Sequence, residues 1–358
     1  MAGKDYPRGE GDFRKWFATD AACADYLEWL RWPAGFVCPR CGAPGGYRLA
    51  DGRFWCDECR RRVSVTSDTI FSHTRTPLTI WFVAAWEMAA HSTGVSARTL
   101  YRLLGFGSYE TAWAILHRYR HAISARGFDR LEGVVELDES YFGGEHKAGR
   151  PGRSSAEGKY EVLLAVERKD PQGFGRVRAR YIEQETDAII GSFIGDSIVP
   201  GATVHTDGAP SYRRLFAAPA GSLTDSYRHE RSVIAGSGHE AHELLPAVHR
   251  VASLAQRWLA GTHQGAVEGD HLQAYLDEFC FRFNRRSSRS RGLLFYRLLE
   301  LAVAAGPHTY AQIVSGAAKP KQTRPAPPAA PRRGPPSLDI LPAGRPWRRQ
   351  IGLPHFSG

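Results

Sequence analysis

The chain has 358 residues and a mass of 39.7 kDa, a length that predicts two or three domains and excludes a single small module. Its 42% hydrophobic and 23% charged residues can support a packed core, which excludes global disorder. The net charge of +10 divides into +5 for residues 1–131, −2 for 132–316 and +7 for 317–358. Basic ends around an acidic middle favour a polyanion-binding protein whose middle part uses carboxylates for another purpose. The alternative is the mild basicity of many soluble proteins.

The sequence contains no candidate membrane segment. No run approaches the ~18 apolar residues that a membrane-spanning helix needs. The first residues, MAGKDYPRGEGDFRKW, contain no apolar stretch that could act as a signal peptide. We therefore expect a cytoplasmic protein without a membrane partner.

Four of the six cysteines form two CxxC pairs, Cys38 with Cys41 and Cys56 with Cys59, and 14 residues separate the pairs. Two such pairs fit a tetrahedral zinc site of four thiolates, because each pair supplies two sulfurs from a tight turn. Two segments between the pairs, 47–49 and 53–55, read as short strands, so the pattern predicts a zinc ribbon. Two disulfides are the alternative, which a cytosolic chain disfavours.

A pair of predicted helices follows the ribbon, at residues 94–105 and 108–120. Glycines separate the two helices, and Ser108 is a suitable N-cap for the second. This outline is typical of a helix-turn-helix, although any small helical bundle would give a similar pattern. On the second helix we predict Arg118 and Arg120 to contact DNA phosphates.

The middle of the chain changes to strand-like alternation. Strands are predicted at 134–138, 160–167, 177–182 and 202–207, with helices at 187–198, 246–260, 271–283 and 293–305. This order indicates an α/β fold with mixed strand pairing, and α+β for the chain as a whole. The last 42 residues contain ten prolines, which predicts a disordered basic tail.

Two aspartates, Asp138 and Asp207, each end a strand-like segment and precede turn-forming residues. Side chains at strand ends converge on ligands in α/β sheets, and the period of two places Glu136 on the same face as Asp138. Two carboxylates on neighbouring strands repel each other unless a cation is shared, and Mg²⁺ prefers such oxygen ligands. Two such ions support in-line phosphodiester displacement. The alternative is an ordinary pair of aspartates that cap turns.

Six segments of the sequence carry a resemblance to a known family, and they occur in the family's order over about residues 13–305. They are RWPAGFVCPRCG (31–42), GVSARTLYRLLGFGSYETAW (94–113), VELDESYFGG (135–144), VHTDGAPSY (204–212), RWLAGTHQG (257–265) and HLQAYLDEFCFRFNRR (271–286). The chain resembles bacterial and archaeal insertion-sequence transposases of the DDE type, from the family whose members begin with a zinc ribbon. The resemblance implies an RNase H-like fold for 132–260, Mg²⁺-dependent cleavage at transposon ends, and strand transfer by the freed 3′-hydroxyl.

The resemblance carries Asp138 and Asp207 over as the first two catalytic acids. It also implies that the partners are double-stranded DNA, as transposon ends and as target, and a second copy of the chain in a dimer or higher multimer. We expect such a prokaryotic protein to be associated with the nucleoid.

The third catalytic position departs from the commonest pattern. Similar proteins with a glutamate there usually have a lysine seven residues later, whereas this chain has His249 and Gln256. A histidine variant also fits, so we predict His249 as the third catalytic group and metal ligand, with Mn²⁺ suiting it better than Mg²⁺. One alternative is that His249 is an ordinary surface histidine, and Glu243 is the rival for the third position. Pro246 favours a helix that begins there, which leaves Glu243 in the preceding loop and places His249 in the first turn.

A basic cluster follows the last motif, in a stretch of sequence that has no acidic residue. Its members are Arg282, Arg285, Arg286, Arg289 and Arg291. Arginines on and just after a helix can follow a DNA backbone, and we predict Arg282, Arg285 and Arg286 to do so. The alternative is a solvated helix end.

These interpretations divide the chain into four predicted regions. They are a zinc ribbon with an N-terminal helix (13–66), a helix-turn-helix region (67–131), an RNase H-like catalytic domain (132–316) and a disordered tail (317–358). The predicted cofactors are structural Zn²⁺ and catalytic Mg²⁺ or Mn²⁺. The predicted function is a transposase that binds terminal repeats and cleaves and joins DNA, and the alternative is a catalytically impaired DNA-binding descendant of one.

Overall fold

The computed structural model combines helices with two separate β-sheets. It describes residues 1, 3–91, 93–143, 159–169, 173–217, 223–232, 241–264, 267 and 269–315. The predicted disordered tail at 317–358 lies outside these residues. Among the helices described, none has both the length and the apolar composition needed to cross a membrane.

The secondary-structure elements follow the predicted order. The helices are α1 (Glu10–Trp16), α2 (Asp20–Arg31), α3 (Leu78–Ala90), α4 (Ala97–Leu104), α5 (Tyr109–Ala125), α6 (Asp187–Ser197), α7 (Pro210–Ala217), α8 (Leu223–Ser226), α9 (Ala241–Leu244), α10 (Pro246–His263), α11 (Gly269–Phe283), α12 (Arg291–Ala304) and α13 (Tyr310–Val314). The strands are β1 (Gly46–Arg48), β2 (Phe54–Cys56), β3 (Arg62–Val63), β4 (Val134–Phe142), β5 (Tyr160–Arg168), β6 (Phe174–Ile182), β7 (Thr203–Thr206) and β8 (Arg228–Arg231).

The ribbon is a three-stranded antiparallel sheet in the order β1-β2-β3. Gly46 begins β1 with φ 143°, and a Cβ at this position would lie 2.1 Å from the carbonyl oxygen of Trp55. Only glycine allows this close approach of the two strands. The predicted zinc ribbon is therefore confirmed, with β3 as a third short strand beyond the two expected.

Helices α1 to α5 share one hydrophobic core with α12. Aromatic side chains dominate it, and Phe13 stacks on Trp86 at 4.7 Å and meets Phe295 edge-on at 5.5 Å. Phe295 belongs to α12, which the sequence analysis assigned to the catalytic region. The end of that region thus packs on the N-terminal helices, so the two parts of the chain are held together by apolar contacts.

The larger sheet is mixed, with the strand order β6-β5-β4-β7-β8. Strands β4, β5 and β6 pair antiparallel, whereas β7 pairs parallel with both β4 and β8. The apolar residues of α10 and α11 cover one face, and those of α6 and α7 cover the other. This arrangement confirms the predicted α/β fold and is consistent with an RNase H-like domain. Strand β8 was not predicted, because its sequence RHER is polar and mostly exposed.

Candidate active site

The two predicted aspartates lie on neighbouring parallel strands. Asp207 directly follows β7, whereas Asp138 lies within β4, so the prediction that Asp138 ends its strand is wrong. The strand continues to Phe142 because its residues beyond Asp138 stay paired with β5. Glu136 of β4 is in register with His205 of β7, and Asp138 and Asp207 each lie two residues further along. The Asp207 carboxylate accepts a hydrogen bond of 2.8 Å from the backbone N–H of Ala209, which fixes it against the turn. The topology therefore places both carboxylates at the same edge of the sheet.

Repulsion between acidic groups is strong at this edge. Burial, together with the negative charges of Glu139 and Asp207, raises the pKa of Asp138 to about 8. The Asp138 side chain is 14% exposed, so water screens this repulsion poorly. A bound cation would relieve it, and carboxylate oxygens are the donors that Mg²⁺ and Mn²⁺ accept.

Glu139 is a further acid at this edge that the sequence analysis missed. Its neighbour Asp138 points to the α10 face of β4, whereas Glu139 accepts a hydrogen bond from the Tyr212 hydroxyl of α7. Burial raises the pKa of Glu139 more than the Tyr212 hydrogen bond lowers it, so that the pKa is about 7. The run of two acids in the segment ELDES was the available signal, but alternation alone assigned Glu139 to the opposite face.

His249 reaches this site from α10. Its Nε2 lies 3.5 Å from Oδ2 of Asp138, and its side chain is 31% exposed. The predicted set of Asp138, Asp207 and His249 is therefore brought to one place, and their catalytic role remains a prediction. Among the described residues, only the cysteine cluster has three or more donor atoms within 4.8 Å of one another. A catalytic cation would thus draw these three donors closer together.

Two side chains fix α10 on strand β4. The carboxylate of Glu136 is fully buried, and its Oε2 accepts hydrogen bonds from the N–H groups of Ala247 at 2.7 Å and Val248 at 3.0 Å. A carboxylate at this position satisfies free amides and complements the helix dipole. Two turns later, Nε2 of Gln256 donates to the carbonyl of Tyr141 at 2.9 Å. The helix that carries His249 is thus held to the strand that carries Asp138.

The rival acid Glu243 lies in the short helix α9 rather than in a loop, and it is exposed. Leu245, which has φ −126° and ψ 62°, separates α9 from α10. The helix begins at Pro246 as predicted, and His249 lies in its first turn. The choice between Glu243 and His249 as third ligand therefore remains a prediction.

The four ribbon cysteines form a cluster with the dimensions of a zinc site. Sγ of Cys38 lies 3.8 Å from that of Cys59, and Sγ of Cys41 lies 3.6 Å from that of Cys56. A disulfide would require about 2.05 Å, whereas Zn–S bonds of about 2.3 Å in a tetrahedron separate the sulfurs by about 3.8 Å. Backbone N–H groups lower the pKa of Cys56 to about 7, whereas burial raises that of Cys59 to about 12; a bound zinc ion would deprotonate both thiols. The cluster therefore fits zinc.

The predicted helix-turn-helix residues are placed differently from expectation. Arg120 is 1% exposed, pairs with Glu278 at 2.8 Å and lies over the ring of Tyr275. Its predicted phosphate contact is wrong, because α5 is the central helix of the bundle and is surrounded by α3, α4, α11 and α12. Arg118 is half-buried, and its Nε donates to the carbonyl of His308 at 2.8 Å. The exposed helix of the pair is α4.

The predicted arginine cluster also stabilises the fold. Arg282 is only 11% exposed and donates to the carbonyls of Met88 and His91, so it caps the C-terminus of α3 and its predicted DNA contact is wrong. Arg285 lies over the ring of Phe281. Arg286 donates to the carbonyls of Phe174 and Gly175 in β6 and to that of Phe283 in α11. A DNA role for Arg285 and Arg286 remains a prediction.

Comparison with known proteins identifies the family. A model of the transposase zinc-ribbon domain matches residues 18–62, and a model of the ISXO2-like transposase domain matches residues 130–284. A protein from the transposable element ISH50 of Halobacterium salinarum, described as uncharacterised, is 30% identical over 294 residues, which cover 75% of this chain and 92% of the relative. The chain belongs to the ISXO2-like transposase family. This membership confirms the predicted resemblance and supports DNA as the partner and zinc as the ion of the cysteine cluster.

Proposed function

We propose that this transposase-family protein is an active enzyme that binds the terminal repeats of its insertion sequence and cleaves them with Mg²⁺ or Mn²⁺. It then joins the freed 3′-hydroxyl to target DNA. The observation that carries the proposal is the placement of Asp138 beside Asp207 at one sheet edge, with His249 at 3.5 Å from Asp138.

Each residue of this site has a chemical role in the proposal. Asp138 and Asp207 supply hard oxygen donors, and His249 supplies a nitrogen donor without negative charge. Bound divalent cations would activate the attacking oxygen and stabilise the leaving one. Tyr212 donates a hydrogen bond to Glu139, which holds this further acid in place beside the site.

The remaining parts of the chain would hold the DNA. The zinc ribbon and the exposed face of α4, which includes Arg98 and Arg102, are the proposed contacts outside the catalytic domain. Two ends must be held together for transposition, so we also propose that the protein acts as a dimer or a higher multimer.

Nicking of end-labelled DNA separates this proposal from a DNA-binding protein that has lost its chemistry. The wild type should bind the duplex and nick it only when Mg²⁺ or Mn²⁺ is present. The replacement of the usual lysine by Gln256, which bonds to β4 instead, favours the impaired alternative. Binding without nicking in either metal would support that alternative.

A further inference from the structure

A groove of about 930 Å³ lies where α4 and the loop before it face α10, α11 and α12. Its apolar lining includes Leu103 of α4 and Leu254 and Trp258 of α10, and its arginines include Arg257 and Arg291. We propose that this groove binds an unpaired strand of DNA close to the active site. The inference rests on the proposed function, because it names the form of DNA that reaches the catalytic edge.

The charge of the groove selects a polyanion. Arg257, Arg286 and Arg291 have no carboxylate within ion-pair distance in the described part of the chain. Of the described residues that line the groove, one has a carboxylate, Glu87, which lies 2.6 Å from His91, and the nearby Glu278 is paired with Arg120 at 2.8 Å. The groove is therefore net positive. It would repel the basic segment 317–358 and attract phosphates.

The apolar lining selects unpaired bases over a duplex. Leu103 is 55% exposed on α4, and Leu254 and Trp258 are partly buried on the facing wall. Paired bases present their polar edges and keep their faces stacked, so they gain little from such walls. The faces of unpaired bases stack on aromatic and apolar side chains regardless of sequence.

The groove is rigidly connected to the active site. The carbonyl of Thr93, just before α4, accepts hydrogen bonds of 2.7 Å from both Trp258 Nε1 and Thr262 Oγ1 of α10. Arg257 follows His249 by eight residues on the same helix, a rise of about 12 Å. An unpaired strand can cover this distance with a few nucleotides. A strand held by Arg257 would therefore lead to Asp138.

The test is a fluorescence anisotropy titration of labelled oligothymidine at several salt concentrations. Arg257→Gln/Arg291→Gln should lower the slope of log affinity against log salt by about 1.4, because each phosphate contact of a single strand contributes about 0.7. The control is Arg14→Gln/Arg297→Gln, two exposed arginines outside the groove that pair with Glu10 and Glu300, and it should leave the slope unchanged. Leu103→Asp, at an exposed side chain, should weaken binding about tenfold.

Several outcomes would overturn the inference. An unchanged salt slope in the groove variant would do so, as would an equal fall of the slope in the control. A lower slope for a mixed-sequence duplex but not for oligothymidine would also do so. If Leu103→Asp dissociated a multimer without weakening oligothymidine binding, the groove would be a protein interface instead. The proposed function is tested separately, because it requires nicking. If the wild type nicks DNA while the groove variant keeps the wild-type salt slope, only the proposal that the groove binds an unpaired strand is refuted.

Discussion

Replacing Glu136 with alanine should displace the helix that carries His249. Glu136 is fully buried on β4, and its Oε2 accepts the N–H groups of Ala247 and Val248. Alanine would leave both amides without an acceptor in a site that water does not reach. The first turn of α10 would then move or fray, and His249 would lose its position near Asp138.

The size of the effect follows from these two hydrogen bonds. A hydrogen bond to a charged group contributes about 1.5–3 kcal/mol, so the loss of both costs about 3–6 kcal/mol. Part of this loss is offset, because burial disfavours the charged Glu136 and raises its pKa. We therefore expect Glu136→Ala to lower the free energy of unfolding by about 2–4 kcal/mol. Glu136→Gln keeps an oxygen acceptor and should cost about 1 kcal/mol.

Urea unfolding and metal-dependent nicking of DNA measure the two consequences in the same preparations. The matched control is Glu132→Ala, because Glu132 is 76% exposed and makes one surface ion pair, with Arg176. This control should change stability by less than about 1 kcal/mol. Wild-type stability of Glu136→Ala, or a loss in Glu136→Gln as large as in Glu136→Ala, would refute the argument that the carboxylate oxygen holds α10.

Three further predictions concern zinc, acid and the catalytic metal. Native mass spectrometry should find one zinc ion per chain, and chelation should unfold the ribbon, since metal binding and folding are coupled in such sites; a folded ribbon after chelation would contradict this. Burial lowers the pKa of His263 to about 3 and that of His117 well below its usual value. At these two histidines the unfolded chain therefore takes up protons below pH 6.5 that the native chain does not. Their contribution to stability should be complete above pH 6.5 and should fall by up to about 1.4 kcal/mol per pH unit for each histidine as the pH drops toward 3. Urea midpoints measured between pH 7.5 and 4.5 would check this dependence on pH. Stability should fall less steeply with falling pH in His117→Gln than in the wild type. Finally, nicking should prefer Mn²⁺, and His249→Ala should cost far more activity than Glu243→Ala, whereas His249→Glu should retain activity and prefer Mg²⁺; the opposite ranking of the two alanine variants would assign the role to Glu243.

Local patterns in the sequence were enough to predict the strands and the position of the two aspartates. Alternating apolar residues identified β4, β5, β6 and β7, because each of these strands is buried on at least one face. Asp138 and Asp207 could be assigned to one edge because both strands were expected to end there. Strand β4 in fact continues to Phe142, because it stays paired with β5 beyond Asp138. The spacing of the cysteines likewise predicted the ribbon, since the ligand geometry of zinc constrains it directly.

Features that depend on tertiary packing could not be predicted in this way. Arg120 reads as a surface residue of a DNA-binding helix, yet its charge is buried against Glu278 of α11, 158 residues away in the sequence. Glu136 likewise binds the start of α10 over a long separation, since Ala247 and Val248 follow it by 111 and 112 positions in the sequence. Neither contact leaves a periodic signal, because each arises only when α5 and α10 pack on distant elements.

The most direct test of the proposed transposase activity is nicking of duplex DNA that carries the element's own ends, measured with Mg²⁺ and with Mn²⁺. Wild type, Asp138→Ala and Asp207→Ala should be compared with the control Asp196→Ala, whose carboxylate is 62% exposed and pairs with Arg180 on the surface. DNA binding should be measured in the same samples. We predict that the wild type and the control nick the DNA, whereas Asp138→Ala and Asp207→Ala bind it but do not nick it. Nicking by either of these two variants, or binding without nicking by the wild type in both metals, would contradict the account.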